Sequence, residues 1–315
     1  GIHFALEDYH GYRRFNSPVD AFRAYAKAHE KHNSSPLDAG QLEALGVGML
    51  EHYVRWEERR TRWKTVWKDG KPLVEMKFSL ILEPLCYYEV DGLDGKERFF
   101  RVDDTDDWKS VQSGIMVVED QLIDMGAKYT EIVYHGTIDR LVQDENGEYW
   151  ILDYKTAKAF DIGKLPTDPQ ISAYCWAAEQ WLDLPIAGML YLQLAKKVPR
   201  GPKVVKTGIS ADKTQKTTHY LYRDALIEMY GEVAKAPSKN IEFLNYLAEQ
   251  EDENGDEFIR YDWVPKNDAT KINTYHTIIA EGLEMLNPKL AIYPNPTRDC
   301  SWDCPFRSMC IAMEE

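Results

Sequence analysis

Apolar residues recur every three or four positions in two N-terminal segments, residues 3–12 and 37–62, as they do in a helix with one buried face. Asp69-Gly70-Lys71-Pro72 then has the composition of a turn, and residues 73–82 are rich enough in strand-forming residues to predict a strand. The pattern therefore predicts a helical N-terminal part, residues 1–70, that leads into a sheet.

Predicted strands and helices alternate along the rest of the chain. In order, the pattern predicts a hairpin or loop over 91–109, a helix near 111–125, strands over 132–142 and 149–155, a helix from 169 to about 182, a strand over 187–194, a helix near 224–248, a strand over 257–264 and a helix near 269–286. This order favours an α/β fold with a mixed sheet flanked by helices. Since no change of composition demands a second domain, we predict a single domain over 1–315, with a core at about 71–195, a basic loop at 196–223 and a C-terminal helical part at 224–315.

Composition narrows the class of protein. With 44% hydrophobic residues the 315-residue chain is far from the composition of disordered proteins, and no apolar run is long enough to cross a bilayer. The N-terminus has no basic segment followed by an apolar one, so we predict a cytoplasmic protein without membrane contact. The net charge of −14 argues against a protein that coats nucleic acid, but residues 196–223 hold eight Lys or Arg and a single acid, Asp212. This basic segment can still face a phosphate chain.

Two predicted strands on either side of residues 144–147 carry the clearest chemistry. Asp153 and Lys155 lie two apart, so they project from the same face of the second strand. Asp139 in the first strand lies opposite Asp153 only if the loop has an odd number of residues centred on Asn146. A three-residue loop, Glu145-Asn146-Gly147, meets this condition and places glycine third, where a left-handed residue is usual. A two-residue loop would turn the two aspartates to opposite faces.

In the three-residue register, two carboxylates would stand about 5 Å apart beside a lysine. Carboxylates this close repel, and a hard divalent cation such as Mg²⁺ or Mn²⁺ is the natural partner for their oxygens. Such an ion lowers the pKa of bound water and polarises phosphoryl oxygens, while Lys155 would stabilise developing charge, which is the chemistry of phosphodiester hydrolysis. The alternative is a surface hairpin on which Asp139, Asp153 and Lys155 form a solvated ion pair.

Two pairs of residues at helical spacing would complete such a site. Gln170 and Tyr174 share one face of the helix after the hairpin, and His3 and Glu7 share one face of the first helix. The His3 imidazole would be a third metal ligand, better suited to Mn²⁺ than to Mg²⁺. Each pair alone is as compatible with structural packing as with a site, and the joint order along the chain is the more specific feature.

That order resembles the RecB-type branch of the PD-(D/E)XK nucleases, which includes the CRISPR-associated RecB-like exonucleases and the nuclease domain of AddB. The matching segments are Gly1-Ile2-His3 with Leu6-Glu7, Gly136-Thr137-Ile138-Asp139, Ile151-Leu152-Asp153-Tyr154-Lys155-Thr156, and Gln170 to Tyr174. The resemblance is close over residues 130–195. It implies a restriction-endonuclease-like core with a central mixed sheet, enlarged by helical insertions.

The resemblance also implies a role for each matching residue. Four residues would bind the metal: His3, Asp139, Asp153 and, through its backbone carbonyl, Tyr154. Lys155 would be the catalytic lysine, and Gln170 and Tyr174 would support the site and the DNA strand. Glu75 lies on a segment similar to the first core strand of the family, and we assign it no catalytic role.

Three cysteines lie within eleven residues of one another near the C-terminus: Cys300, Cys304 and Cys310. Clustered thiolates select zinc or an iron–sulfur cluster, and both usually take four ligands. The resemblance implies a [4Fe–4S] cluster whose fourth ligand is a cysteine that precedes the helix histidine. Because the sequence starts at Gly1, we expect that ligand to be missing unless Cys86 or Cys175 replaces it. Zinc and three metal-free thiols are the alternatives.

Basic and aromatic residues that suit a DNA backbone occur in two segments, one before the first predicted strand and one after residue 195. Lys and Arg neutralise phosphates, and Trp63 and Trp67 would stack on unpaired bases. The predicted DNA-binding residues are Arg59, Arg60, Arg62, Trp63, Lys196, Lys197, Arg200, Lys203 and Lys206. A solvated helix face or loop is the alternative for each segment. No ATP-binding loop of the form G-x-x-x-x-G-K-[ST] occurs, so processing of long DNA would need a helicase or recombination partner.

We therefore predict a Mg²⁺- or Mn²⁺-dependent deoxyribonuclease, an exonuclease acting on ends or single strands in DNA repair or recombination, in a bacterial or phage-infected cell. A second hypothesis keeps the fold and the cysteine site but makes the protein a DNA-binding partner with weak or no catalysis. A third is an iron–sulfur redox protein, which only the cysteines support.

Overall fold

A computed structural model of the protein describes residues 1–29, 38–59, 62–82, 85–92, 95–101, 107–110, 116–118, 128–130, 132–160 and 162–285, with the backbone alone over 85–130 and 252–254. Contacts group the chain into two compact units, Gly1–Leu80 with Val133–Tyr275 and Ile81–Ile132 with His276–Glu315. The single domain expected from the sequence stays a prediction. None of the described helices is long and apolar enough to span a membrane.

The described residues form seven α-helices and fifteen strands. The helices are α1 (Ile2–His10), α2 (Pro18–Ala28), α3 (Ala39–Glu58), α4 (Pro169–Leu182), α5 (His219–Tyr230), α6 (Ser238–Asn254) and α7 (Asp268–Met285). The strands are β1 (Trp63–Thr65), β2 (Trp67–Lys68), β3 (Lys71–Pro72), β4 (Val74–Ile81), β5 (Leu85–Gly92), β6 (Gly95–Arg101), β7 (Asp107–Ser110), β8 (Met116–Val118), β9 (Lys128–Thr130), β10 (Val133–Asp144), β11 (Tyr149–Ala157), β12 (Ile186–Ala195), β13 (Val204–Val205), β14 (Gly208–Ile209) and β15 (Ile259–Pro265).

A mixed sheet forms the centre of the first unit. Its strands follow the order β1-β10-β11-β12-β15, and β4 also pairs with β10. β10 and β11 are antiparallel, β11 and β12 are parallel, and β12 and β15 are antiparallel. The parallel pair requires a crossover connection, which α4 supplies while packing against β12. The α/β fold class predicted from the sequence is confirmed.

Side-chain alternation gives the two faces of this sheet different neighbours. One face presents alternate apolar residues of β11, β12 and β15 to helices α1, α2 and α3, and together they form a buried core that includes Leu152, Leu192, Tyr261, Leu50 and Trp56. Asp153 and Lys155 alternate with these core positions, so they project from the opposite face. The apolar core thus fixes which face the charged residues occupy.

Capping residues set the start of the helix that crosses between the parallel strands. The Asp168 carboxylate accepts a hydrogen bond from the backbone N–H of Gln170 at 2.9 Å, and Pro169 occupies the first helical position. The helix ends at Leu182 and is followed by Asp183, which has a left-handed φ of 55°. The prediction of a helix from 169 to about 182 is confirmed.

Several other predicted elements differ from the structure. The sequence interpretation missed α2, although Ser17 caps it and Pro18 opens it. The single helix predicted near 224–248 is two helices, since α5 ends at Gly231, whose φ is +81°. The helix predicted near 111–125 is wrong where the structure describes that segment, because Met116–Val118 is a strand.

The second unit contains a five-stranded antiparallel sheet with the order β8-β7-β6-β5-β9. Its β5–β6 hairpin closes with Gly92 opposite Gly95, within the stretch predicted to be a hairpin or loop. The described part of this insertion is therefore β-structure rather than the helical insertion that we expected.

Candidate functional site

The β10–β11 hairpin has the register that the carboxylate chemistry requires. Arg140 pairs with Leu152 and Leu141 with Ile151, so the next positions, Asp139 and Asp153, face each other. The backbone N–H of Asp144 donates to the Glu148 carbonyl at 3.0 Å and closes a three-residue loop. Gly147, the third residue of that loop, has a φ of +85°. The predicted loop and register are both confirmed.

Asp139 is held by the neighbouring strand. Its Oδ2 accepts a hydrogen bond from the backbone N–H of Tyr154 at 2.8 Å and lies 3.5 Å from Nδ1 of His3. This contact with the Asp139 carboxylate raises the pKa of His3, although burial opposes the shift. The first helix therefore brings the predicted histidine directly to the predicted aspartate.

Asp153 and Lys155 form a close ion pair on the same face. Both carboxylate oxygens of Asp153 lie 2.9 Å from the Lys155 ammonium, and the hydrogen bond goes to Oδ1. Burial raises the pKa of Asp153 to about 6, against the opposing charge of Lys155. Burial lowers the pKa of Lys155, but the Asp153 carboxylate outweighs burial and the net shift is upward. Apart from this ion pair, Oδ2 of Asp153 is buried without a hydrogen-bond partner among the described residues.

Glu75 joins the site, which the sequence interpretation missed. Ligand atoms of His3, Glu75 and Asp139 all lie within 4.8 Å of one another. Glu75 adopts a left-handed φ of 46° inside β4, an uncommon and strained conformation for a residue with a side chain. Burial, followed by the charge of Asp139, raises the pKa of Glu75. Its place in the strand was visible in the sequence, but the backbone conformation that turns it toward Asp139 was not.

This group of side chains fits a divalent cation. It offers one imidazole and carboxylate oxygens, which suit Mn²⁺ and Mg²⁺. Burial raises the pKa values of Glu75 and Asp153 and so disfavours their charged forms. Asp153 lies outside the group within 4.8 Å, and its Oδ2 contacts the Lys155 ammonium. A cation bound beside Glu75 and Asp139 would stabilise the charged carboxylates.

Gln170 and Tyr174 lie together on α4, as their spacing predicted. Nε2 of Gln170 donates to the Tyr174 hydroxyl at 3.4 Å. The Tyr174 ring meets Phe78 of β4 edge-on, with ring centroids 6.2 Å apart. Phe78 also covers Gly136, where an added Cβ would lie 2.3 Å from the phenyl ring, so this position needs glycine. The described contacts of the pair thus lead to Phe78 rather than to the carboxylates.

A buried polar network lies behind the hairpin. Arg140 donates through Nη1 to the Tyr154 hydroxyl at 3.0 Å and to Oε1 of Glu57 at 3.2 Å. The Tyr154 hydroxyl lies 3.2 Å from that of Tyr53, which lies 2.8 Å from Nε2 of His10. Burial raises the pKa of Tyr154 to about 12 and lowers that of His10. The network links α1 and α3 to both strands of the hairpin.

The predicted DNA-binding residues fall into two groups. Before the sheet, Trp63 is 5% exposed within a cluster that contains Trp56 and Trp263, so its ring is not available for stacking. Arg59 pairs with Glu251, Arg62 donates to the Tyr261 hydroxyl, and Arg60 lies outside the described residues.

The basic segment after the sheet lies closer to the candidate site. The backbone N–H of Lys196 donates to the carbonyl of Ala157, two residues beyond Lys155, at 2.7 Å. The side chain of Lys197 lies 3.9 Å from Glu257. All five predicted DNA-binding residues of this segment are exposed: Lys196, Lys197, Arg200, Lys203 and Lys206. The segment therefore leaves the sheet next to the end of the strand that carries Lys155.

The cysteine site is only partly described. Cys300, Cys304 and Cys310 lie outside the described residues, so the cluster stays a prediction. Cys175 is buried on α4, and burial raises the pKa of its thiol to about 12, which suits a small core residue better than a metal ligand. Cys86 lies on β5, where the structure describes the backbone alone.

Comparison with known proteins adds one match. A model of the PD-(D/E)XK nuclease superfamily matches residues 2–311, nearly the whole chain. A comparison with curated proteins finds no match. The match extends beyond residues 130–195, where the resemblance was clearest in the sequence, and includes His3 and Glu75.

Proposed function

This chain belongs to the PD-(D/E)XK nuclease superfamily, and from that premise we propose that it is a Mg²⁺- or Mn²⁺-dependent deoxyribonuclease of the RecB-type branch. We further propose that it acts as an exonuclease on DNA ends or single strands, in repair or recombination. Nucleases of this superfamily generally use divalent metals, and the acidic group at His3, Glu75 and Asp139 supports the same chemistry here.

One observation carries the proposal. The hairpin register places Asp139 and Asp153 opposite each other, with Lys155 on the same face and His3 beside Asp139. A solvated surface ion pair would not require a buried carboxylate, yet Asp153 is 6% exposed. The burial of Asp153 therefore favours a site over the surface hairpin that was the alternative.

The first role that we propose for the side chains of the site is to bind the metal ion. Four would hold the ion: His3, Glu75, Asp139 and Asp153. When bound, Mg²⁺ or Mn²⁺ supplies a water of lowered pKa and neutralises charge on the phosphoryl group. The backbone N–H of Tyr154 fixes the orientation of Asp139, and its carbonyl is a proposed further ligand.

Lys155 would stabilise the charge that develops on the phosphate. Its side chain is 41% exposed while its ammonium is held beside Asp153, so it can reach a phosphate oxygen without losing its orientation. We propose that Gln170 and Tyr174 support the site and the DNA strand indirectly, because Tyr174 contacts Gln170 and packs against Phe78.

The exposed basic segment would hold the DNA backbone. Lys196 leaves the sheet next to the end of the strand that carries Lys155, and Arg200, Lys203 and Lys206 continue from it. These contacts would be independent of base sequence and would weaken as salt rises. Long DNA would require a separate helicase or recombination partner, and a [4Fe–4S] or zinc site at the C-terminal cysteines remains part of the proposal.

The test compares cleavage by matched variants. End-labelled single-stranded and duplex DNA are incubated with Mg²⁺ or Mn²⁺ and the native chain, Asp139→Asn, Lys155→Ala or the control Glu148→Gln. Glu148 is an exposed carboxylate of the same hairpin. We expect the control to match the native chain and the two site variants to lose about 100-fold or more of the activity. Intact substrates with every protein would favour a DNA-binding partner without catalysis, and equal activity in all four would exclude this site.

A further inference from the structure

Trp67 is the most exposed of the tryptophans whose side chains the structure describes. Its relative exposure is 59%, whereas Trp181 is 38% exposed and the others of this set are buried or partly buried. Single exposed apolar residues are ordinary on a protein surface, so exposure alone gives Trp67 no role. The hairpin that carries Trp67 and the position of that hairpin near Asp139 are what suggest a role.

A tight hairpin presents the Trp67 ring. Trp67 pairs with Pro72 and Lys68 with Lys71, and both turn residues, Asp69 and Gly70, have left-handed φ values of 51° and 73°. Two such residues in a two-residue loop form the tight hairpin turn that matches strand twist. Pro72 is buried, so one strand anchors the hairpin while the other presents the indole.

The hairpin leaves the sheet next to the metal ligands. Val66, before it, donates to the Leu141 carbonyl at 3.0 Å, and Leu141 donates to the carbonyl of Leu73, after it, at 2.9 Å. Leu141 lies two residues from Asp139, and Leu73 lies two residues from Glu75. Three lengths join the two residues: one residue from Trp67 to Val66, one strand spacing from Val66 to Leu141, and two residues along β10 to Asp139. Together they place the Cα of Trp67 within about 16 Å of that of Asp139.

The charges around the ring suit a phosphate chain. Lys68 and Lys71 are exposed on either side of the turn, with Asp69 as the only acid in the hairpin. Neither lysine forms an ion pair with a carboxylate in the part of the chain that the structure describes; Lys68 instead lies 3.5 Å from the Leu182 carbonyl. An exposed indole flanked by two exposed lysines has the composition of a single-strand stacking platform.

We propose that the β2–β3 hairpin is a stacking platform for the strand being cut, with Trp67 against an unpaired base and Lys68 and Lys71 beside its phosphates. The inference rests on the proposed function and names its substrate as an unpaired strand. A stacked strand rises about 3.4 Å per nucleotide, so a Cα separation of at most about 16 Å corresponds to no more than about five nucleotides. Paired bases do not offer their faces, so the platform selects frayed ends and single strands over intact duplex.

Binding without cleavage tests the platform. Anisotropy of a labelled single-stranded oligonucleotide is measured in EDTA with the full native chain, Trp67→Ala, Trp67→Phe and the control Trp181→Ala. Trp181 is also exposed, at 38%, but lies near the end of α4. We expect Trp67→Ala to bind the single strand about tenfold more weakly, Trp67→Phe to retain most of the affinity, and Trp181→Ala to match the native chain. Because Trp67 is exposed, thermal unfolding should be unchanged in its two variants.

A second substrate separates stacking from charge. On an oligonucleotide of the same length without bases, Trp67→Ala should bind as well as the native chain, since no base remains to stack. An equal loss on both strands, or an equal loss in Trp67→Ala and Trp181→Ala, would overturn the platform. Failure of the proposed nuclease activity would instead appear as uncut DNA with the native chain, so the two outcomes are distinguishable.

Discussion

The polar groups on the two faces of the β10–β11 hairpin differ in how many hydrogen-bond partners they have. On the front face, Asp153 is buried beside Lys155 with one carboxylate oxygen left without a hydrogen bond. On the back face, Arg140 and Tyr154 are each 3% exposed and bond to each other and to α3. Residues adjacent in the same strand, such as Asp153 and Tyr154, therefore meet contrasting environments.

This difference suggests that the back face stabilises the fold and that the front face carries the activity. Burial shifts pKa values on both faces. The back-face groups bond to one another and hold one arrangement of the core, whereas the front-face carboxylates gather where a cation could bind. The back-face network joins α1 and α3 to the hairpin and so holds the strands that present the front-face carboxylates. Substitutions on the back face should therefore lower stability, while those on the front face should lower activity and leave the fold intact.

The largest effect is expected for Arg140→Met. This change leaves Glu57 and the Tyr154 hydroxyl without their buried partner, which typically costs about 3–5 kcal/mol of unfolding free energy. Urea unfolding in EDTA measures it. The matched control is Arg260→Met, because Arg260 pairs with Asp262 on a partly exposed strand and should cost about 1 kcal/mol or less. Equal losses in the two variants would contradict the special role of the back face.

A front-face change, Glu75→Gln, should mainly alter the metal requirement. The amide keeps the shape of the side chain but removes a charge from the group formed with His3 and Asp139. We expect the Mn²⁺ concentration for half-maximal cleavage to rise by about tenfold or more, with no loss of unfolding free energy in EDTA. An unchanged Mn²⁺ requirement would remove Glu75 from the site.

Asp153→Asn should abolish cleavage but stabilise the metal-free protein at neutral pH. The folded-state pKa of Asp153, about 6, lies above the ordinary value of 3.8, so the folded protein binds this proton more tightly. Its stabilising contribution is complete below the ordinary pKa and is lost as pH rises through about 6. The amide removes that loss, which predicts a gain of about 2–3 kcal/mol at pH 7 and less than about 1 kcal/mol near pH 4.

Urea unfolding of both proteins in EDTA across this pH range gives the difference for Asp153→Asn directly. A difference that does not change with pH would mean that the stability effect of the substitution is not due to the buried charge.

The smallest effect is expected for Tyr53→Phe. Removing this hydroxyl breaks the link between His10 and Tyr154 without removing a charge, so the loss should be about 1 kcal/mol. Cleavage at saturating Mn²⁺ and the Mn²⁺ requirement should match those of the native chain. If the Mn²⁺ requirement changes as it does in Glu75→Gln, the two faces are coupled and the contrast between them is too simple.

Local rules make the hairpin predictable. An Asn-Gly pair, an odd loop length and two acids at matching positions together determine the register, and the Asp168-Pro169 start determines where α4 begins in the same way. Trp63 shows where such rules end, because its sequence context of arginines suggests exposure while the fold packs it among other aromatic rings. Burial of this kind depends on distant parts of the chain.

Glu75 and the second unit were not predictable for different reasons. The position of Glu75 in the site depends on one left-handed backbone angle, which a glutamate gives no sign of adopting. Three of the five strands in the sheet of the second unit have only three or four residues, which are too few for periodicity to distinguish a strand from a helix or loop.

The left-handed backbone conformation of Glu75 means that selection for stability and selection for activity would favour different residues at this position. A left-handed conformation costs a residue with a side chain roughly 1–2 kcal/mol, whereas glycine adopts it freely. In a library screened for heat resistance alone, position 75 should therefore change to glycine or asparagine, and the most stable variants would lack a proposed metal ligand.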